Sequence, residues 1–232
     1  MYIPAAFRES RQPVLHEVIQ QYSFGTLVSR VDGELLATHL PFLLTPDRGP
    51  HSTLLGHLAR ANPHWQSFQG VLPTEASGVS GSEAVDEVAD EESLVIFEGP
   101  HAYISPSWYA TEVAVPTWNY VVVHVYGRPR VLTDPAVLRS LLGATVDTYE
   151  RAFEAPWRLG RLPDGVVEKM MEAVVGFEIP ISRLEGKFKL NQNRSAADRR
   201  GVISALQRSG DPLGVAVAEL MERQEREQTT GA

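Results

Sequence analysis

The chain of 232 residues contains no cysteine. Disulfides, thiolate metal sites and a cysteine nucleophile are therefore excluded, and any redox chemistry must come from a bound cofactor. No stretch reaches the ~20 apolar residues that a membrane-spanning helix requires. The first residues, Met1 to Pro4, lack the basic and then apolar plan of a secretion signal. We therefore expect a cytoplasmic protein with no membrane partner.

The common catalytic signatures are also missing. The chain has no Gly-x-Ser-x-Gly elbow, no Walker loop, no Gly-x-Gly-x-x-Gly fingerprint and no pair of isolated carboxylates in an apolar setting. Its histidines show no ligand spacing such as His-Glu-x-x-His, and a dedicated metal site is not expected without cysteine. Hydrolase and nucleoside-triphosphatase activities therefore have no support in the sequence.

The net charge of −8 is unevenly distributed. The stretch from Pro73 to Glu92 holds seven acidic residues and no lysine or arginine, so the rest of the chain is almost neutral. This stretch is rich in Gly, Ser and Ala and lacks aromatic residues, which predicts a flexible acidic surface loop at 73–93. The opposite bias lies between Lys187 and Arg208, where six basic residues face only Asp198.

Periodicity and turn signals predict the order of the secondary structure. A helix over Pro13–Tyr22 precedes a hairpin of strands 24–30 and 35–44 that are joined by an Asp-Gly turn. Further strands are predicted at 51–57, at 94–97 and 102–104 with a pause at Gly99-Pro100, at 118–132 and at 175–190. Further helices are predicted at 63–68, 134–153, 166–174, 195–206 and from 211 onward. Six or so strands with helices late in the chain indicate an α+β class, an antiparallel barrel with helices packed outside it.

One junction has the chemistry of an anion site. A strand ends, Arg60 follows, and the Asn62-Pro63 pair begins a helix whose first amide groups have no partner within the helix. Arg60 could add a bidentate, charge-assisted hydrogen bond to a phosphate monoester. The alternative is that Arg60 pairs with a surface carboxylate.

Aromatic residues and histidines offer weaker signals. Trp108, Trp118 and Tyr120 could cover a flat ring by offset stacking, although aromatic residues in strands usually belong to the core. His39 lies in an apolar run before a proline, where a structural role is favoured over a functional one.

Several of these segments resemble the PaiB-like family of FMN-binding split-barrel proteins, which are described as negative regulators of transcription. The resemblance extends from the first residue to about Arg200. The matching segments are Met1–Pro4, Phe24–Val28, Ala37–Leu44, Leu55–Trp65, Val95–Tyr109, Pro116–Gly127, Val175–Ile179 and Gly186–Arg194. The acidic loop is longer than the family pattern requires.

The resemblance implies a homodimeric split β-barrel with peripheral helices and with FMN at the subunit interface. It implies an FMN-binding barrel domain over 1–190 and a C-terminal helical extension over 191–232 that packs on the barrel. By this analogy the FMN phosphate lies by Arg60, Ala61 and Asn62. The ring lies along Thr38, His39, Leu40 and Pro41, and the partner subunit closes the site with Trp118, Asn119, Lys187, Lys189 or Gln192.

Three functions remain open. The first is a flavin-dependent sensor or regulator that represses transcription, either directly or through a partner. The alternative is a flavin-dependent oxidoreductase, namely a flavin reductase, a pyridoxamine-phosphate-oxidase-like enzyme or a haem-degrading relative, and the third is a flavin store. Strong direct DNA binding is not expected, because the chain outside the acidic stretch is almost neutral. Residues 195–206 and 211–221 could be mistaken for a helix-turn-helix, but we do not expect them to bind DNA as one.

Overall fold

The computed structural model describes residues 1–31, 33–49, 51–68, 92–163 and 165–230. The predicted acidic loop at 73–93 lies outside the described residues, apart from Glu92 and Ser93. No helix in the described part of the chain is long and apolar enough to cross a membrane.

Most strands and helices of the described chain lie where the sequence predicts them, although the structure divides each of the predicted strands 35–44 and 118–132 in two and runs one strand through the predicted pause at Gly99-Pro100. The strands are β1 (Arg8–Glu9), β2 (Phe24–Val31), β3 (Glu34–Pro41), β4 (Leu43–Thr45), β5 (Thr53–Ala59), β6 (Ser93–Ile104), β7 (Thr117–Gly127), β8 (Arg130–Val131) and β9 (Val174–Lys189). The helices are α1 (Gln12–Gln21), α2 (Pro135–Glu150), α3 (Val166–Met171), α4 (Ala196–Arg208) and α5 (Pro212–Thr230). Short 3-10 turns lie at Ala5–Phe7, Pro63–Phe68, Pro106–Trp108 and Leu159–Arg161.

These strands form an antiparallel sheet whose hydrogen-bonded order is β3-β2-β6-β7-β9-β5-β4, with β1 and β8 also paired to β9. The predicted hairpin is confirmed, since β2 pairs with β3 from Phe24 opposite Pro41 to Val31 opposite Glu34. Gly33 closes this hairpin with a φ of 83°, a left-handed conformation that glycine adopts without a steric penalty.

The chain forms two compact units, each assembled from separate stretches. The first comprises Met1–Tyr22, Ile96–His124 and Leu184–Ala232, and the second comprises Ser23–Val95 and Val125–Arg183. Helices α4 and α5 therefore belong to the same unit as the first 22 residues. The predicted boundary at residue 190 stays a prediction.

In the first unit, α4 turns its apolar face inward. Val202, Ile203 and Leu206 are buried, because their spacing puts them on one face of the helix. The start of α4 is also confirmed, because the Ser195 hydroxyl accepts a hydrogen bond from the Asp198 amide at 3.1 Å. Gly201 permits close packing, since a Cβ atom there would stand 2.1 Å from the carbonyl oxygen of Trp108.

In the second unit, aromatic rings fill the space beside β5 and β9. Phe177 meets Phe42 edge-on at 6.2 Å between ring centroids and Phe68 at 5.0 Å. Helices α2 and α3 pack through a small apolar cluster of Leu138, Leu141, Val167 and Met171. Helix α2 begins as predicted, because the Asp134 carboxylate accepts the Ala136 amide at 2.8 Å.

Candidate functional site

A polar cluster in the second unit joins β3 to the turn after β5. His64 Nδ1 lies 2.8 Å from the hydroxyl oxygen of Thr38, and the Asn62 amide nitrogen donates to the same oxygen at 3.3 Å. The Asn62 carbonyl oxygen accepts the His64 main-chain amide at 3.0 Å. We call these residues the Thr38 cluster. Two of its members, Thr38 and Asn62, are predicted cofactor ligands, whereas the sequence gives His64 no role.

His64 is completely buried, and burial lowers the pKa of its imidazole below the usual 6.5. The ring is therefore neutral at pH 7. Its Nε2 atom has no hydrogen-bond partner in the part of the chain that the structure describes. A buried and unpartnered ring nitrogen beside a hydrogen-bonded one is a signal that only the folded structure provides.

The turn after β5 differs from the predicted helix. Residues Pro63–Phe68 form a 3-10 turn of six residues. The amide of His64 is bound by the Asn62 side chain, so this one amide is not available to an anion. The predicted helix is thus a 3-10 turn whose first amide is capped by Asn62, and the anion site at this turn stays a prediction.

Arg60 is exposed and binds main-chain carbonyl groups rather than a carboxylate. Its Nε donates to Glu172 O at 2.6 Å and one terminal nitrogen donates to Val174 O at 3.0 Å. The Trp65 indole donates to the Arg60 carbonyl at 2.9 Å. Arg60 therefore ties the end of β5 to the α3–β9 junction. Its guanidinium has five N–H groups, so donors remain for a ligand.

A cleft of about 480 Å³ adjoins Arg60 and Trp65. Its floor is apolar, with Leu138 and Met171 among the lining residues, and its rim carries Glu172. Asp134 and Glu168 also line it. The rim is thus mixed in charge, which favours a phosphate less than a purely basic site would.

The remaining predicted ring contacts divide between the two faces of β3. Thr38 is half-buried and Leu40 is buried, whereas His39 is exposed, because successive side chains of a strand alternate. Pro41, the last residue of β3, is half-buried, and Ala61 is exposed in the turn that follows β5. The described structure therefore brings Thr38 into contact with Asn62, and His39 lies on the other face.

The first unit carries a pair of lysines on one face of β9. The chain has only three lysines, and two of them, Lys187 and Lys189, share this face while Phe188 and Leu190 are buried behind them. This alternation is the two-residue period of the strand predicted at 175–190. In the described part of the chain neither lysine forms an ion pair.

Aromatic and polar groups surround the two amines. Lys187 Nζ lies 5.2 Å from the ring centroid of Tyr120 and 5.6 Å from that of Tyr2. Lys189 Nζ donates to the Thr117 hydroxyl and, at 2.8 Å, to the Trp118 carbonyl. Burial lowers the pKa of Lys189, and the neighbouring Lys187 charge lowers it further. A nearby anion would relieve that repulsion.

Trp118 and Asn119 lie on opposite faces of β7. The Trp118 side chain is 53% exposed, and it contacts the rings of His101 and Tyr103 at centroid distances of 6.1 and 5.9 Å. Trp118 lines a second cleft of about 460 Å³, together with Tyr120 and His101. Asn119 is fully buried, and its amide nitrogen lies 3.6 Å from the sulfur of Met221. Of the two, Trp118 is the residue with a free face.

Gln192 organises the end of β9. Its carbonyl oxygen accepts the Leu190 amide at 2.7 Å, and its amide nitrogen donates to the Phe188 carbonyl. Both ends of the side chain are therefore engaged by the strand. Gln192 holds the main chain that carries the two lysines, while Asn191 makes the turn with a φ of 61°.

Asp198, the one acidic residue between Lys187 and Arg208, is a buried carboxylate. It accepts hydrogen bonds from the Thr111 amide and hydroxyl, at 3.0 and 2.9 Å. Burial tends to raise the pKa of this carboxyl, but the hydrogen bonds from Thr111 and Ser195 outweigh burial and lower the pKa below 3.8. Asp198 thereby fastens the segment before β7 to the start of α4.

The basic residues of α4 are partly neutralised. Arg199 binds Glu225 at 2.8 Å and the Arg194 carbonyl at 2.7 Å.

No group of three or more His, Asp or Glu side chains suited to a metal ion is found among the residues that the structure describes.

Comparison with known proteins identifies relatives over the whole chain. Residues 1–183 match the model of a family described as "Putative FMN-binding domain". The chain is 35% identical over 222 residues to the protease synthase and sporulation protein PAI 2 of Bacillus subtilis (strain 168), which covers 96% of this chain and 97% of that protein. It is 30% identical to the uncharacterized protein AN0679 of Emericella nidulans, which covers 95% and 96%.

Solved structures share the fold at low sequence identity. The flavocytochrome Anf3 from Azotobacter vinelandii aligns with a TM-score of 0.56 at 14% identity, over 78% of this chain and 69% of that chain. The FAD and haem binding protein from Mycobacterium smegmatis aligns with a TM-score of 0.55 at 15% identity, over 83% and 78%. At such identities the likeness concerns the fold alone.

The antiparallel sheet with its helices and these structural neighbours define a split-barrel fold of the α+β class, as predicted. The chain belongs to the FMN-binding family that includes PAI 2 of Bacillus subtilis, the PaiB family, and FMN is its cofactor. The individual ligand residues and the dimer stay predictions.

Proposed function

We propose that this protein is a homodimeric, cytoplasmic FMN protein that acts as a flavin-dependent sensor and negative regulator of transcription. The proposal rests on family membership together with one structural observation. On the face of a sheet, Lys187 lies beside the rings of Tyr120 and the exposed Tyr2, and Lys189 binds the main-chain carbonyl of the exposed Trp118; neither lysine forms an ion pair in the described chain. Such a face suits a flat anionic ring compound.

The residues present fit FMN. The phosphate needs cationic donors, and Arg60 retains free N–H groups beside Ala61 and Asn62. The ring needs polar groups along one edge, which the Thr38 cluster and the main chain of His39, Leu40 and Pro41 offer. FMN supplies hydride or electron transfer when it is bound, and the protein binds it, orients it and shields it from water.

In this proposal the second subunit covers the other side of the flavin-binding site. Tyr2, Tyr103 and Trp118 are 83%, 48% and 53% exposed in the single chain. Large exposed aromatic groups that lie together mark interaction surfaces. A second copy that places its Trp118, Lys187 and Lys189 against the flavin would cover this face, with Gln192 holding the lysines in place.

Regulation is proposed to need a partner or a flavin-linked signal rather than direct DNA recognition. DNA affinity depends on phosphate neutralisation by free basic side chains. Arg199 is already paired with Glu225, and the other face of α4 is buried. Helix α4 therefore offers little to a duplex.

An oxidoreductase is the second candidate. The cleft of about 460 Å³ beside Trp118, Tyr120 and His101 could hold a ring substrate in addition to the cofactor. Steady oxidation of NADH or NADPH by purified protein, with turnover well above that of free FMN, would favour this activity over a sensor.

The cofactor and the dimer are tested together. Purified protein should be yellow and release FMN on denaturation, as mass spectrometry identifies it, and it should sediment as a dimer at micromolar concentration. Trp118→Ala should weaken both FMN affinity and dimerisation. A colourless monomer that binds no added FMN would contradict the proposal.

Direct DNA binding is tested by titrating the FMN-loaded protein against promoter and scrambled duplexes at about 150 mM salt. We expect weak binding without sequence preference. Promoter binding at least about a thousandfold tighter than binding to the scrambled duplex would establish direct recognition instead.

A further inference from the structure

Within the described residues, the Thr38 hydroxyl has two side-chain partners, Asn62 and His64. A threonine hydroxyl has one hydrogen to donate and two lone pairs to accept with. One lone pair of Thr38 is taken by the amide nitrogen of Asn62 at 3.3 Å. The orientation of that amide is fixed, because its carbonyl oxygen accepts the His64 main-chain amide at 3.0 Å.

The remaining contact, between Thr38 Oγ1 and His64 Nδ1 at 2.8 Å, has two possible directions. If Nδ1 is bare, the hydroxyl donates to it and keeps one lone pair for a ligand. If Nδ1 carries the hydrogen, it donates to the hydroxyl oxygen, both lone pairs are filled, and the hydroxyl hydrogen points to a ligand. The histidine tautomer therefore decides whether Thr38 accepts or donates.

The far side of the ring selects between these tautomers. His64 is completely buried, and its Nε2 lies without a hydrogen-bond partner within the described chain. The ring packs beside Phe68 at a centroid distance of 5.6 Å. A buried N–H group without an acceptor is rarer than a buried acceptor without a donor. The hydrogen therefore belongs on Nδ1, which has an acceptor, and not on Nε2.

We propose that His64 donates from Nδ1 to Thr38 and thereby makes the Thr38 hydroxyl an obligate hydrogen-bond donor toward the ligand at β3. A ligand at this position must present an acceptor, such as a carbonyl oxygen or ring nitrogen of the flavin. This inference rests on the proposed function in so far as the ligand is FMN. His64 is a positioning residue, since it acts through Thr38 and touches no ligand itself.

The consequence for a bound flavin is electrostatic. A fixed donor stabilises negative charge on the group that accepts its hydrogen bond. Reduction adds negative charge to the ring, so the donor at Thr38 should raise the midpoint potential of the bound cofactor.

The first test examines the tautomer without any cofactor chemistry. Two-bond proton–nitrogen NMR spectra of nitrogen-labelled protein distinguish protonated from bare ring nitrogens, and His64→Asn identifies the His64 signals by their loss. We expect a neutral ring with Nδ1 protonated, both in FMN-free and in FMN-loaded protein. Protonation at Nε2 would overturn the inference.

The second test compares four variants of the FMN-loaded protein. Thr38→Val should lower the midpoint potential, shift the visible absorbance of the flavin and weaken FMN binding roughly two- to tenfold, the contribution of one hydrogen bond. Thr38→Ser should restore all three. His64→Asn keeps an N–H group near the position of Nδ1 and should resemble the wild type, whereas His64→Leu should change the potential and the absorbance.

The outcomes separate the two hypotheses. A midpoint potential that is unchanged in Thr38→Val, in protein that still binds FMN, refutes the donor role and leaves the proposed function intact. Wild-type protein that binds no FMN refutes the proposed function, while the NMR experiment still decides the tautomer.

Discussion

Arg60 is the most informative residue to substitute, because in the structure it binds two main-chain carbonyl groups and the family resemblance also implies that it binds the FMN phosphate. Its two hydrogen bonds to Glu172 O and Val174 O hold the end of β5 against the α3–β9 junction. An ordinary hydrogen bond contributes about 0.5 to 1.5 kcal/mol. Because the guanidinium is exposed and water competes for it, we use the lower half of that range.

Arg60→Ala should therefore lower the free energy of unfolding of the FMN-free protein by about 1 to 2 kcal/mol. If Arg60 also binds the FMN phosphate, the same substitution should weaken the free energy of FMN binding by ~1.5 to 3 kcal/mol, which raises the dissociation constant roughly ten- to 150-fold. Urea unfolding measures the first quantity. FMN titration by fluorescence quenching, at a temperature where both proteins are fully folded, measures the second.

Arg60→Lys separates the two roles. Lysine keeps the charge for a phosphate but cannot hold two carbonyl groups with a planar fork. We expect its stability to resemble Arg60→Ala and its FMN affinity to lie closer to the wild type. Arg161→Ala, at an exposed arginine on the Leu159–Arg161 turn, is the control and should change neither quantity. An FMN affinity unchanged in Arg60→Ala would remove Arg60 from the phosphate site, and an unchanged stability would contradict the anchoring role.

Three further substitutions test other parts of the molecule. Lys187→Met should weaken FMN binding about fivefold at low salt and less at high salt, whereas Lys169→Met should not, as parallel titrations over a salt series will show. Gly201→Ala should cost at least about 1 to 3 kcal/mol in urea unfolding, because its Cβ would stand 2.1 Å from a main-chain carbonyl oxygen, while Gly160→Ala has open space and should be neutral. Because folding lowers the pKa of Asp198, the ionised carboxylate stabilises the fold fully above the usual pKa of 3.8, and this contribution disappears as the pH falls through the lower pKa of the folded state. Asp198→Asn should therefore be less stable than wild type at pH 7. Acid unfolding curves of the two proteins should converge below pH 3.8.

Local signals in the sequence located many of the elements. The Asp-Gly turn predicted the β2–β3 hairpin because a left-handed glycine suits it, and Gly33 adopts that conformation. Ser195 and Asp134 predicted the starts of α4 and α2 because a capping oxygen must lie beside the first free amides. The alternation of Lys187 with Phe188 likewise follows from the two-residue period of a strand.

Contacts distant in sequence were not predictable in this way. Arg60 meets the carbonyl groups of Glu172 and Val174 more than a hundred residues away, and no local pattern distinguishes those carbonyls from any others. The 3-10 form of the turn after β5 also escaped prediction, because the Asn62-Pro63 signal marks a start but does not fix the helix type.

The sequence by itself determined the elements, the family and the cofactor class, because these depend on periodicity, capping and segments that keep their order along the chain. The tertiary structure alone decided which polar atoms share a hydrogen bond and which are left without one. No sequence pattern assigns His64 a role, yet folding buries its ring and places Nδ1 2.8 Å from Thr38. A side chain's protonation and hydrogen-bond direction depend on groups that only the folded chain brings within 3 Å of each other.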